Sequence, residues 1–399
     1  MIVLAGGDLV LPDHVIPNGS LVIDGSRIAA ISPRNTMDPA GARIIDVRGA
    51  YVVPGFVDVH VHGIDGVDSL DSGAAVAAIA ARLPRYGVTA FCPTTVACDP
   101  HTLANVLRQV ASLRVERPAG SARVISAHLE SNFINAEYKG AQPAACLRHP
   151  AASSPGTDPA GAFSATDVMA VIGDARAAVG IVTLAPELPG GIELIRQLVG
   201  AGHRVSLGHS GADFDTAIAA IEAGARHATH LFNRMKPMTH RAPGLPGAVL
   251  SRTDIAAELI CDGIHVHPAV VRMAIGAKGV RRVMAITDGT SCAGLPEGST
   301  GRLGGQAISV RAGAAVLGDG TLAGSTLTMD RAFRNLVTLF ERTLVDAAAL
   351  CSTTPAREMD LAGRGVIAEG ACADLVVLDE SFAVVHTLID GAVVFSARS

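Results

Sequence analysis

The chain has 399 residues, 49 % hydrophobic and 17 % charged, with a net charge of −5. That mix excludes disorder and suits one large barrel with an accessory domain, or two to three domains. The mild acidic excess and the lack of a basic run exclude nucleic acid and anionic membranes as expected partners.

No uncharged apolar stretch is long enough to span a bilayer, and the N-terminus lacks a basic-then-apolar secretion pattern. The seven cysteines, at 92, 98, 146, 261, 292, 351 and 372, stand singly with no CxxC pair. An odd, scattered set predicts no disulfide framework and a cytoplasmic protein. Cys92, Cys98 and Cys261 are expected as core fillers.

Residues 1–50 read as short strands. Leu21-Val22-Ile23-Asp24-Gly25 and Arg27-Ile28-Ala29-Ala30-Ile31 flank an Asp-Gly-Ser turn, and Asp-Gly between apolar runs signals a hairpin. The far end is similar: 373–379, 384–391 and 392–395 are strand-like. Residues 1–53 and 356–399 are therefore expected to pair into one small β-sandwich domain, with 54–355 as a separate domain.

The middle alternates differently. Eight apolar runs end in polar residues: Phe56–His60, Thr89–Thr94, Val124–Glu130, Ile181–Pro186, Arg204–Ser210, His227–Phe232, Ala257–Asp262 and Val283–Asp288. Helix-period segments lie between them at Ala74–Tyr86, His101–Val115, Ala165–Ala178, Gly191–Ala201, Asp213–Ala223 and Pro268–Lys278. Continuous apolar runs suit strands covered on both faces. The alternation predicts an α/β fold, a (β/α)₈ barrel, with an open doubly wound sheet as its competitor. Residues 140–164 read as a loop or insertion. The segment Pro296–Thr321 reads as an insertion that holds extra strands.

The chemistry clusters where the runs end. Run one ends in His60-Val61-His62, and residues two apart on a strand share a face. Runs three, five and six end near Glu130, His209 and His230; run seven leads to Asp262-Gly263-Ile264-His265; run eight ends at Asp288. Each signal alone has a bland reading, such as a core histidine or a turn. Yet five of the 14 histidines fall at these ends beside acids, where barrel enzymes build their sites. Imidazole and carboxylate donors suit a divalent metal, Zn²⁺ first and Fe²⁺ second. Glu130, His209 and His230 make one ligand set. His60 and His62 offer a second, for one or two ions, with Glu130 as bridge. Asp288 is placed as general acid/base and His265 as a carbonyl-polarising or substrate-binding group. His128 and His227 are expected as core.

These motifs resemble the amidohydrolase superfamily and, within it, the N-acetylglucosamine-6-phosphate deacetylase family. Pro54-Gly55-Phe56-Val57-Asp58-Val59-His60-Val61-His62-Gly63 resembles the superfamily's first-strand motif, and Thr229-His230-Leu231-Phe232-Asn233 the deacetylases' sixth-strand signature. His240-Arg241-Ala242-Pro243-Gly244-Leu245, Asp262–Val266, Ile286–Gly289, Ala323–Ser325 and Gly370–Asp379 also match in order. The likeness runs nearly end to end. It implies a metal-dependent barrel with a β-sandwich, acting as a homodimer. It also implies hydrolysis of the acetamide of N-acetylglucosamine 6-phosphate, releasing acetate. It implies that Glu130, His209 and His230 are the principal ligands and that His60 and His62 are a second, variable pair. Asp288 becomes the acid/base. His265, Asn233 and Arg241 become sugar-phosphate contacts, with Arg241 reaching the neighbouring subunit's site.

The chain departs from the family's pattern at Ser131, Asn132, Gln142, Arg234 and Ala242. Arg234 adds a donor where the phosphate is expected, and both Arg234 and the lost acid at Ala242 favour an anionic substrate. Three readings compete. One is deacetylation of a related amino sugar, the galacto epimer or an unphosphorylated sugar. A second is a cyclic amidase; those bridge their metals with a strand-four lysine, and here strand four ends in Ala185-Pro186-Glu187. The third is a barrel that binds metal without catalysis.

Overall fold

The computed structural model describes residues 1–33, 41–151 and 163–397. All eight apolar runs carry strands: β1 Phe56–Val61, β2 Val88–Thr95, β3 Ala127–Glu130, β4 Val179–Leu184, β5 Arg204–Leu207, β6 His227–Ala228, β7 Ala256–Ile260 and β8 Val283–Ile286. Every neighbouring pair from β1 to β8 is parallel. β8 returns to β1 through the Val61–Gly289 bridge and the Asp288 N–H donating to His60 O at 2.9 Å. The sheet thus closes into a barrel, and the open doubly wound alternative falls. Side chains from strands and helices share one apolar core.

Local chemistry sets the helix starts. Asp99 caps Pro100–Val115 by accepting from the His101 and Thr102 amides, both at 3.0 Å, with Pro100 at the first helical position. Ser164 and Asp167 form a reciprocal capping box before Ala165–Asp174. Three helical stretches go beyond the expected segments: Gly244–Ser251, Met329–Thr338 and the run from Leu344 to Glu358. The first hides behind Gly-Leu-Pro-Gly, which reads as a turn, although proline is tolerated in a helix's first turn. The second carries Met329, Ala332, Phe333 and Leu336 at helical spacing on its buried face.

Strands of both chain ends join one eight-stranded sheet. Ile2–Val10, Val15–Asp24 and Arg27–Ser32 form its N-terminal meander, Asp24 pairs with Arg27 across the expected hairpin turn, and Leu375–Leu378 pairs with Tyr51–Pro54. Leu21 and Ile28 from one flank belong to the same apolar core as Leu388 from the other. The insertion holds a three-stranded meander, Thr300–Leu303, Gln306–Arg311 and Ala314–Val316. Of the loop expected at 140–164, residues 140–151 carry a single short helical turn, and 152–162 lie outside the described residues. Among the described residues no helix is long and apolar enough to cross a membrane.

Candidate metal centre

Five apolar runs outlast their strands, and in three of them the residues beyond turn sharply. β5 ends at Leu207, β6 at Ala228 and β8 at Ile286. The polar residues beyond leave the extended region: His209, His230 and Asp288 have φ of 47°, 28° and 48°. Left-handed backbone is uncommon for residues with side chains and costs on the order of 1–3 kcal/mol. It abandons strand alternation and turns these side chains over the barrel mouth. Phe232 and Arg234, with φ of 79° and 51°, continue the same turn after β6.

Two triangles of donor atoms result. His60 Nε2 and His62 Nε2 lie 3.2 Å apart. Asp288 Oδ1 lies 3.3 Å from the first and 3.2 Å from the second. In the other triangle Glu130 Oε1 lies 2.9 Å from His209 Nε2 and 2.8 Å from His230 Nε2, which are 3.1 Å apart. Glu130 also faces the first triangle, 3.8 Å from His60 Nε2 and 3.6 Å from His62 Nε2. All six side chains are buried.

Their charges depend on one another. Burial pushes Glu130 up, but His209 and His230 outweigh it and hold the carboxyl well below its usual range. Burial likewise opposes ionisation of Asp288, yet His60, His62 and His230 hold it at about 2. Burial would strip His60 of its proton, and the carboxylates of Asp288, Glu258 and Glu130 instead lift it to about 10. Fixed negative charge therefore pulls positive charge into the mouth.

The donors fit divalent metal. Four-coordinate sites with bonds of about 2.0–2.1 Å have ligand–ligand edges of about 3.3–3.4 Å. The His60, His62 and Asp288 triangle matches that size, and the Glu130, His209 and His230 triangle is slightly tighter. His209 Nδ1–H donates to Tyr138 O at 2.8 Å, which leaves Nε2 as the atom it would offer to a metal. A third group, His60, His128 and Glu258, lies deeper. There His128 Nδ1–H donates to Val59 O at 2.9 Å and its Nε2 accepts from the Thr183 hydroxyl at 2.8 Å. His128 is thus a satisfied core histidine, as expected.

The centre forms the floor of a cavity of about 520 Å³. His265, Asn233 and Arg234 line it. Burial pushes the His265 imidazole down, and its 2.6 Å contact with Asp262 Oδ2 outweighs that and raises it. Arg234 lies across Gly140, where a Cβ would come 2.6 Å from Nε, so glycine at 140 makes room for it. Arg241 is exposed on the loop before Gly244–Ser251 and does not line this cavity.

The departures from the family's pattern separate in space. Ser131 Oγ donates to Thr183 O at 2.5 Å, and Asn132 Nδ2 donates to Cys98 O and Cys146 O at 2.8 and 2.7 Å, so both serve the scaffold. Ala242 is exposed. Gln142 faces the centre: its Oε1 accepts from the Ala97 amide at 2.8 Å, which turns its Nε2 to donate to Glu130 Oε2.

Sequence reasoning passed over several residues. Tyr138 reaches the cavity from a helical turn after β3, Leu303 from the inserted meander and Leu322 from the segment that follows it. Glu258 was passed over too, although a lone acid within Ile255-Ala256-Ala257-Glu258-Leu259-Ile260-Cys261 was a signal that could have exposed it.

The amidohydrolase family model matches residues 51–394. The chain is 32 % identical to the N-acetylglucosamine-6-phosphate deacetylase of Bacillus subtilis, over 98 % of this chain and 96 % of that one. It is also 32 % identical to the N-acetylgalactosamine-6-phosphate deacetylase of Escherichia coli O157:H7, over 98 % of each. Among solved structures, a variant of the Mycobacterium smegmatis N-acetyl-D-glucosamine-6-phosphate deacetylase, in complex with N-acetyl-D-glucosamine-6-phosphate, superposes with a TM-score of 0.87. That match has 32 % identity and covers 99 % of both chains.

Proposed function

The chain belongs to the amidohydrolase family, in its N-acetylglucosamine-6-phosphate deacetylase branch, and from that we propose its reaction and the roles of its residues. It hydrolyses the acetamide of N-acetyl-D-glucosamine 6-phosphate to D-glucosamine 6-phosphate and acetate. One observation carries this: two donor triangles, one of them containing Glu130, which also faces the other, form the floor of a single cavity whose wall holds Arg234 and Asn233.

Glu130, His209 and His230 would hold one divalent cation, Zn²⁺ first, and His60, His62 and Asp288 a second; such a cation acidifies water and polarises an amide carbonyl. The remaining steps belong to the chain. Asp288, held ionised at the floor, takes the proton of the attacking water and delivers it to the departing amine. His265, braced by Asp262, donates to the acetyl oxygen as negative charge develops there. Arg234 and Asn233 hold the 6-phosphate; a guanidinium suits a phosphate because it can donate two parallel hydrogen bonds. Arg241, which does not line its own cavity, serves the neighbouring subunit of a homodimer. The cytoplasm suits the seven cysteines, which are all free.

The test is acetate release from N-acetylglucosamine 6-phosphate, its galacto epimer and the unphosphorylated sugar, with metal analysis of the same sample. Turnover of the first substrate above the others is expected. No turnover by metal-replete protein overturns the substrate assignment. Equal identity to a galactosamine relative makes the epimer comparison the decisive arm.

A further inference from the structure

Glu258 lies inside β7 with no solvent exposure. Aliphatic side chains normally fill that layer of a barrel. A carboxylate there loses its water, and only specific partners make its charge tolerable. Its Oε2 accepts from His60 Nδ1–H at 2.9 Å and, more weakly, from the His230 amide at 3.4 Å. Its backbone carbonyl accepts from the Leu231 amide at 2.8 Å. Its second oxygen, Oε1, has no hydrogen-bond partner among the described residues. His128 Nδ1 lies 4.0 Å from that oxygen, but its proton is committed to Val59 O.

A residue needed only to fill the barrel would not leave a buried carboxylate half-satisfied. The bond to His60 gives it a purpose. By holding a proton on Nδ1 it leaves Nε2 as the atom His60 would offer to a metal, the one that faces His62 and Asp288. His209 receives the same service from a neutral carbonyl, that of Tyr138. His60 receives it from a full negative charge.

Charge counting points the same way. Glu130, Asp288 and Glu258 bury three carboxylates around the His60 ring, and a fourth, Asp58, accepts from the His60 amide at 3.2 Å. Two divalent cations carry four positive charges and match these four carboxylates, whereas one cation leaves a deficit that protons on the histidines must fill.

We propose that Glu258 is the positioning residue for His60, and that its buried charge is matched to a second divalent cation held by His60, His62 and Asp288. This rests on reading those three residues as metal ligands. Glu258 touches neither substrate nor metal and acts through the imidazole.

The test compares wild type, Glu258→Gln and Glu258→Leu by equilibrium dialysis against Zn²⁺. Metal is counted per chain, and Co²⁺-substituted spectra and thermal unfolding are recorded alongside. Wild type is expected to hold two equivalents. In Glu258→Gln the weaker equivalent loses about 10–100-fold in affinity, the usual effect of removing such a partner, while the tighter one is unchanged. Its kcat falls with KM preserved. Glu258→Leu loses that equivalent entirely. Should Glu258→Leu fail to fold, the near-isosteric Glu258→Gln carries the test alone. Folded variants that hold both equivalents at wild-type affinity overturn the proposal, and so does a wild type that saturates at one. A wild type that takes up no divalent cation sinks the metal reading itself, a distinct outcome.

Discussion

Asp288 Oδ1 lies 3.3 Å from His60 Nε2, although 228 positions separate these residues in the chain, counting from 60 to 288. The proposed proton carrier is therefore part of a donor triangle. Asp288→Asn is expected to lower kcat by about 10²–10⁴-fold. The equivalent at Glu130, His209 and His230 should stay bound while any second equivalent weakens. Activity that survives with a full metal complement would remove Asp288 from the chemistry.

Glu130 faces both triangles, so its loss should be felt at both. Glu130→Gln keeps the shape and halves the acceptor capacity. Metal analysis should show both equivalents reduced, whereas His62→Asn should cost only one. Retention of all metal by Glu130→Gln contradicts the shared role.

Arg234→Ala removes the guanidinium at the cavity wall. A charge-assisted hydrogen bond is worth about 1.5–3 kcal/mol, so KM for the phosphorylated sugar should rise by about 10–100-fold. The unphosphorylated sugar should be unaffected, and steady-state kinetics on both sugars tests this. An equal rise on the two substrates places Arg234 in the scaffold.

Arg241 is exposed and does not line its own cavity. If it completes a neighbour's site, Arg241→Ala and Asp288→Asn should complement each other. Mixed dimers would contain one site with both groups intact. Co-refolding the two weak variants should then restore activity that neither shows alone. No recovery in verified mixed dimers counts against the cross-subunit assignment.

Away from the site, Glu358 offers a stability test. Burial pushes its carboxyl up, but His227, Arg357 at 2.9 Å and Arg282 at 3.2 Å outweigh that and hold it at about 2. A carboxyl depressed in the folded state stabilises the protein above its unfolded value. That contribution is lost as pH falls from there toward 2. Between about pH 5 and pH 3, wild type should lose about 2 kcal/mol more than Glu358→Gln. Urea unfolding at the two pH values measures this, and parallel curves would dismiss the linkage.

The eight strands were legible because a strand buried on both faces must be apolar throughout, and β1 to β8 all overlap such runs. The ligand histidines and acids were legible because each breaks an apolar run at its end. The helix at Gly244–Ser251 was hidden because its Pro and Gly mimic a turn. Glu258 was overlooked because one acid inside a strand has no local signature of purpose; only His60, from β1 across the barrel, supplies it.

The sequence by itself determined the alternation of strands and helices, the hairpins at both ends and the identity of the donors. These follow from local patterning, where side-chain period and turn chemistry act over a few residues. Tertiary structure alone decided which donors meet. Barrel closure sets His60 against Asp288, and left-handed turns at His209 and His230 aim two imidazoles at Glu130. It also decided that Asn132 faces the scaffold while Gln142 faces the metal centre. Such outcomes depend on close approach between distant segments, and no window of neighbouring residues contains that information.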